Sequence, residues 1–110
     1  MLNNVNNVNN VNNVKTSLSP ASAVVIPQHV VFRAFAAETI MLNLQTGTYH
    51  GLNPTAGTML ETLQRHEVIA DAAAVITTHF SADAEVVESD LLTLCSGLIK
   101  RGLLVVKADA

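Results

Sequence analysis

TIMLNLQTGTYHGLNPTAGTMLETL, residues 39–63, carries the signals from which the fold is read. Ile40, Leu42 and Leu44 alternate onto one side, the period-two signature of a strand. Gln45, Thr46 and Gly47 make a short connection in which Gly47 supplies the positive φ of a three-residue hairpin loop, and TYHGL returns as the next strand. Asn53 is a good N-cap, and Pro54 sits where a first helical residue tolerates the loss of its N–H. A helix therefore opens here, with Ala56, Met59, Leu60 and Leu63 facing inward.

Upstream, the run VVFRAF from Val30 to Phe35 is rich in β-branched and aromatic residues and reads as a further strand, so short loops join three strands into a meander. Downstream, Ile69, Ala72, Ala73, Ile76 and Phe80 recur at helical spacing, which predicts a helix over roughly Val68 to Phe80. Its cap is weak, although Asp71 in the first turn favours the helix dipole. Asp83 can cap a third and longest helix, whose stripe is Val87, Leu91, Leu94 and Leu98. Lys100 and Arg101 suit its negative end and Gly102 the position just past it; LLVV then runs out as an extended tail. The expected class is α+β, a three-stranded antiparallel meander followed by three helices.

The chain opens differently. Asn3 to Val14 is four copies of Asn-Asn-Val, and a period of three matches neither helix nor strand. Pro20 and Pro27 punctuate the next stretch, so residues 1–28 read as a disordered tail and linker, 29–106 as the folded domain and 107–110 as a second tail. At 110 residues there is room for one small domain, and 49% apolar against 14% charged residues lets that domain bury a core.

Composition also excludes several functions. Six Lys and Arg against nine Asp and Glu give a net charge of −3, with no cationic excess for phosphates or anionic membrane. No apolar run approaches the roughly 18 to 20 residues that span a bilayer, and no cationic, then hydrophobic, start marks a secretory signal. The lone Cys95 has no disulfide partner, falls one helical step from Leu91 and Leu98, and reads as a buried thiol of a cytoplasmic protein. His29, His50, His66 and His79 are too widely spaced for a local metal signature, and neither a glycine-rich phosphate loop nor an activated nucleophile accompanies them. A non-enzyme without cofactor or metal is expected.

Residues 39–63, together with DLLTLCSGLIKRGLL at 90–104, resemble the PqqD family: an apolar strand, a Thr-Gly turn, a strand ending in Leu-Asn, a helix opening with small residues, and a closing helix ending in Gly-Leu-Leu. The resemblance extends over about Val30 to Val105. It implies a small winged-helix-like domain that recognises the leader of a ribosomally made precursor peptide and presents that peptide to a modifying enzyme, such as a radical SAM enzyme in PQQ-type biosynthesis or a leader peptidase or cyclase in a lasso-type pathway. The physical logic agrees, because the third strand of a meander is an edge to which an extended peptide can add.

By this resemblance the peptide-binding edge is Thr48, Tyr49, His50 and Gly51, and the groove wall is the last helix around Val87, Asp90, Leu91 and Leu94. Blander roles compete: Tyr49 and His50 also suit a strand surface, and Leu91 and Leu94 must first serve their own helix stripe. Two features depart from the family pattern, the Asn-Asn-Val repeats and the apolar Val68 where a polar helix cap is usual. A DNA-binding winged helix is the alternative, opposed by Glu85, Glu88 and Asp90 on the last helix; a purely structural subunit is another.

Overall fold

The computed structural model describes residues 18–107. The elements in chain order are β1 (Val24–Val25), β2 (Val30–Ala34), β3 (Thr39–Asn43), β4 (Thr48–Leu52), α1 (Pro54–Arg65), α2 (Ile69–Phe80), α3 (Ala84–Lys100) and β5 (Val105–Val106). The meander β2-β3-β4 is antiparallel with β3 in the centre, and three helices follow it as expected.

Local chemistry explains the element ends. The Asn53 side chain accepts from the Ala56 N–H at 2.8 Å and caps α1, whose first residue is Pro54. The Asp83 carboxylate accepts from the N–H groups of Glu85 and Val86 and caps α3. The start of α2 has no side-chain cap, since Val68 holds that position. Asn43, buried at the end of β3, accepts from the N–H groups of Gln45 and Thr46 and so builds the hairpin turn. That loop has four residues, Leu44 to Gly47, rather than three, and Gly47 takes the expected positive φ of 74°.

The core lies between one face of the meander and the helices. Met41, Leu60, Leu91, Leu98, Leu103 and Leu104 are fully buried in it. Helix α1 approaches β3 closely at Gly57, where a Cβ would collide with the Thr39 hydroxyl. His29 Nε2 lies 3.2 Å from the Gly102 carbonyl, joining the entry of β2 to the exit of α3.

Several expectations need correction. The folded part begins before Gln28: Val24 is buried, Leu18 and Ile26 pack against the core, and β1 pairs antiparallel with β5, Val24 opposite Val106 and Val25 opposite Val105. The reason is that Leu103 and Leu104 enter the core, which brings Val105–Val106 to the edge of the N-terminal segment instead of letting it run out as a tail. The expected disorder of residues 1–17, and the tail at 108–110, lie outside the described residues. Phe80, expected inward, is exposed at the end of α2. Ile40, Leu42 and Leu44 do share a side, but it is the side away from the core; Thr39, Met41 and Asn43 face inward.

Candidate functional site: the free edge of the meander

The hydrogen-bond parity of the sheet decides which backbone groups remain free. Leu44 N–H donates to the His29 carbonyl at 2.7 Å and Phe35 N–H to the Glu38 carbonyl at 2.8 Å. Both contacts continue the β2–β3 register, in which Val31 opposes Leu42 and Arg33 opposes Ile40. In an antiparallel ladder hydrogen-bonded pairs alternate with non-bonded ones. The even-numbered residues of β3 therefore bond to β2, and Thr39, Met41 and Asn43 turn their polar groups toward β4. Their partners there are Leu52, His50 and Thr48. It follows that Tyr49 and Gly51 direct both N–H and C=O away from the sheet, into an edge that no strand among the described residues covers.

This parity sorts the expected residues. Thr48 and His50 have their main chain turned inward, and their side chains lie on the helix side of the sheet, where His50 is half-buried. Tyr49 and Gly51 offer their main chain to a partner, and Tyr49 puts its ring, 70% exposed, on the outer face. Gly51 also faces outward; the Glu38 carboxylate lies 2.7 Å from where its Cβ would be. A glycine here leaves the edge uncrowded and holds a negative charge close to it.

The expected helix wall divides differently. Val87 and Leu91 are buried in the core and present no surface, because they are the stripe by which α3 packs onto α2. Leu94 is partly buried against the core, and Asp90 is exposed. The principal packing of β4 outside the sheet is with α1. Of the four α3 residues only Asp90 and Leu94 retain accessible surface. Cys95, between Leu91 and Leu98, is fully buried, and burial pushes its thiol up to about 12, which makes it inert at neutral pH.

Sequence reasoning missed the outer face of the meander. Val31, Arg33, Phe35, Ile40, Leu42 and Tyr49 line a shallow depression of about 250 Å³ there. A signal was present in β3, where Ile40 and Leu42 are apolar on one side and Met41 on the other. Such a strand is built for cover on both faces.

A three-stranded meander backed by three helices, with one edge strand offering two outward main-chain pairs, defines a small α+β domain of winged-helix type suited to strand addition. The chain belongs to the PqqD family, described as coenzyme PQQ synthesis protein D, whose model matches residues 38–104. Among solved structures, TbiB1 in complex with the TbiA(beta) leader peptide is similar, with 31% identity and a TM-score of 0.68, over 76% of this chain and 98% of that one. A lasso peptide synthetase B1 complexed with its leader peptide has the same fold at 20% identity, with a TM-score of 0.68 over 76% of this chain and 98% of its own. No curated protein matches.

Proposed function

We propose that this chain is a non-catalytic cytoplasmic adaptor that binds the leader of a ribosomally made precursor peptide by strand addition to β4 and presents it to a modifying enzyme, in a PQQ-type or lasso-type pathway. The observation that carries this reading is the open edge at Tyr49 and Gly51, in a chain 31% identical to a protein solved with a leader peptide. The leader pairs with those two residues. Its alternate side chains fall beside His50 on the helix side and beside Tyr49 on the outer side. The family supports leader recognition as the role of this edge.

Proline scanning tests the mode of binding, with a synthetic TbiA(beta) leader peptide, the ligand of the 31% identical TbiB1, as the probe. The wild type binds it with micromolar or tighter affinity, about −8 kcal/mol. Tyr49→Pro and Gly51→Pro remove outward N–H groups, and the Gly51→Pro ring displaces only the flexible end of Glu38, so the domain keeps its circular dichroism while leader binding weakens about tenfold or more. Thr48→Pro and His50→Pro act on the inward side and disturb the β3–β4 ladder instead. Folded Tyr49→Pro and Gly51→Pro variants that bind as tightly as wild type would remove β4 as the site.

A further inference from the structure

One row of residues crosses the outer face of the meander: Arg33 on β2 opposes Ile40 on β3, and Ile40 opposes Gly51 on β4. Opposite charges flank this row. Arg33 stands at one end, while the Glu38 carboxylate extends to the other, 2.7 Å from where a Gly51 Cβ would be. Ile40 separates the two, its Cδ1 3.9 Å from the same Cβ position, and Glu38 makes no ion pair among the described residues. An exposed carboxylate on a loop is ordinary. This one lies over the single position of β4 without a side chain, and that position is one of the two whose main chain faces the open edge. A side chain at 51 would push the carboxylate aside, so glycine is what lets the charge rest against the edge.

We infer that Glu38 makes this edge selective for a basic leader: the leader residue opposite Gly51 is a lysine or arginine whose cation pairs with the Glu38 carboxylate. This rests on the leader-binding reading above and names the chemistry of the peptide. A leader strand added antiparallel to β4 extends the row from Arg33 through Gly51 by one place, and its side chain there emerges on the outer face. Directly opposed positions stand about 4.5 to 5.5 Å apart, so the carboxylate is within reach of a long side chain that starts there. The methylene stem lies over the bare Gly51 main chain and the cation turns back to Glu38. An acidic residue at the same place meets a like charge and is rejected. Arg33 does not offset this, because it stands three strand spacings away, about 14 Å, beyond the Debye length at physiological salt.

The test uses the full chain and synthetic TbiA(beta) leader peptides in which each position in turn is replaced by lysine, glutamine or glutamate. Binding is measured for wild type, Glu38→Gln and Glu38→Lys; Glu38 is exposed in a loop, and a folding defect in one variant leaves the other as a probe. At one leader position the wild type is expected to favour lysine over glutamate at least fivefold. Glu38→Gln brings that preference within twofold and Glu38→Lys reverses it, while the glutamine peptide binds all three proteins within twofold. The two adjacent leader positions, whose side chains fall on the helix side, show no such exchange. The inference is overturned if the preference survives Glu38→Gln at every position, or if Glu38→Gln weakens the lysine, glutamine and glutamate peptides alike, which would leave the residue a structural role only. Binding that Tyr49→Pro weakens but that ignores leader charge removes this inference and leaves the strand-addition reading standing. A wild type that binds none of the peptides removes both.

Discussion

Among the described residues, Cys95 is the one titratable side chain that the fold places fully inside the core and moves far from its ordinary range. In the unfolded chain its thiol ionises near 9.0, whereas in the folded protein it stays protonated to about 12. Between those values the native state holds a proton that the unfolded state has lost, so this group's contribution to stability is full below about pH 9 and declines as pH rises toward 12. Thermal melts at neutral pH and at pH about 10.5 should show a larger loss for wild type than for Cys95→Ala; equal losses would mean the thiol is not linked to folding. Gly57 makes a second prediction at this scale. Gly57→Ala pushes a methyl into Thr39 across the α1–β3 contact and should cost about 1 to 3 kcal/mol in denaturant unfolding, although alanine is the better helix former.

Residue identity alone could not say which members of β4 offer their main chain outward. TYHGL reads as a strand in either register, and only the two bonds at the ends of the β2–β3 ladder, from Leu44 to His29 and from Phe35 to Glu38, fix Tyr49 and Gly51 as the open pair. The inward placing of Val87 and Leu91 was foreseeable from the stripe they share with Leu98, and the groove assigned to them by resemblance yields to that packing.

Among the elements, those with strong local signals were the legible ones. Helices α1 and α3 announce themselves by Asn53-Pro54 and Asp83 and by their stripes, and they stand where expected. Helix α2 lies within a residue of its expected span despite its missing cap, since its small residues recur at helical spacing. Strands β1 and β5 were not legible. Two residues cannot display a period, and their pairing joins segments about eighty positions apart. Their contribution is measurable: Val24 is 1% exposed, so Val24→Ala should cost about 2 kcal/mol. Removing everything before Gln28 should cost more, because it also strips β5 of its partner and removes the contacts of Leu18 and Ile26. A truncated chain with wild-type stability would show that the β1–β5 pair adds nothing.

For the molecule as a whole, charge separates peptide from nucleic acid as a partner. With a net of −3, and Glu85 and Glu88 on the first turns of α3, duplex DNA at physiological salt should bind no tighter than about 10⁻⁴ M. The synthetic leader, held by uncharged main-chain groups, should bind with little salt dependence. Saturable duplex binding with a steep salt slope would contradict this.

The pairing of β1 with β5 also brings the two ends of the folded body together. Lys107 N–H donates to the Ala23 carbonyl at 2.8 Å, and the Lys107 ammonium meets the Glu67 carboxylate at 2.7 Å, so the last described residue lies beside Ala23, just after the turn from Ser19 to Ser22. A body of this kind can be spliced into another polypeptide as a cassette, because the host chain is interrupted by only the width of a strand pair. A permutant that joins the two ends through a short Gly-Ser bridge and opens the loop between Phe80 and Asp83 should fold. Its meander edge, formed by β4 within an uncut stretch, would be carried along intact, so recognition travels with the cassette wherever the ends are grafted.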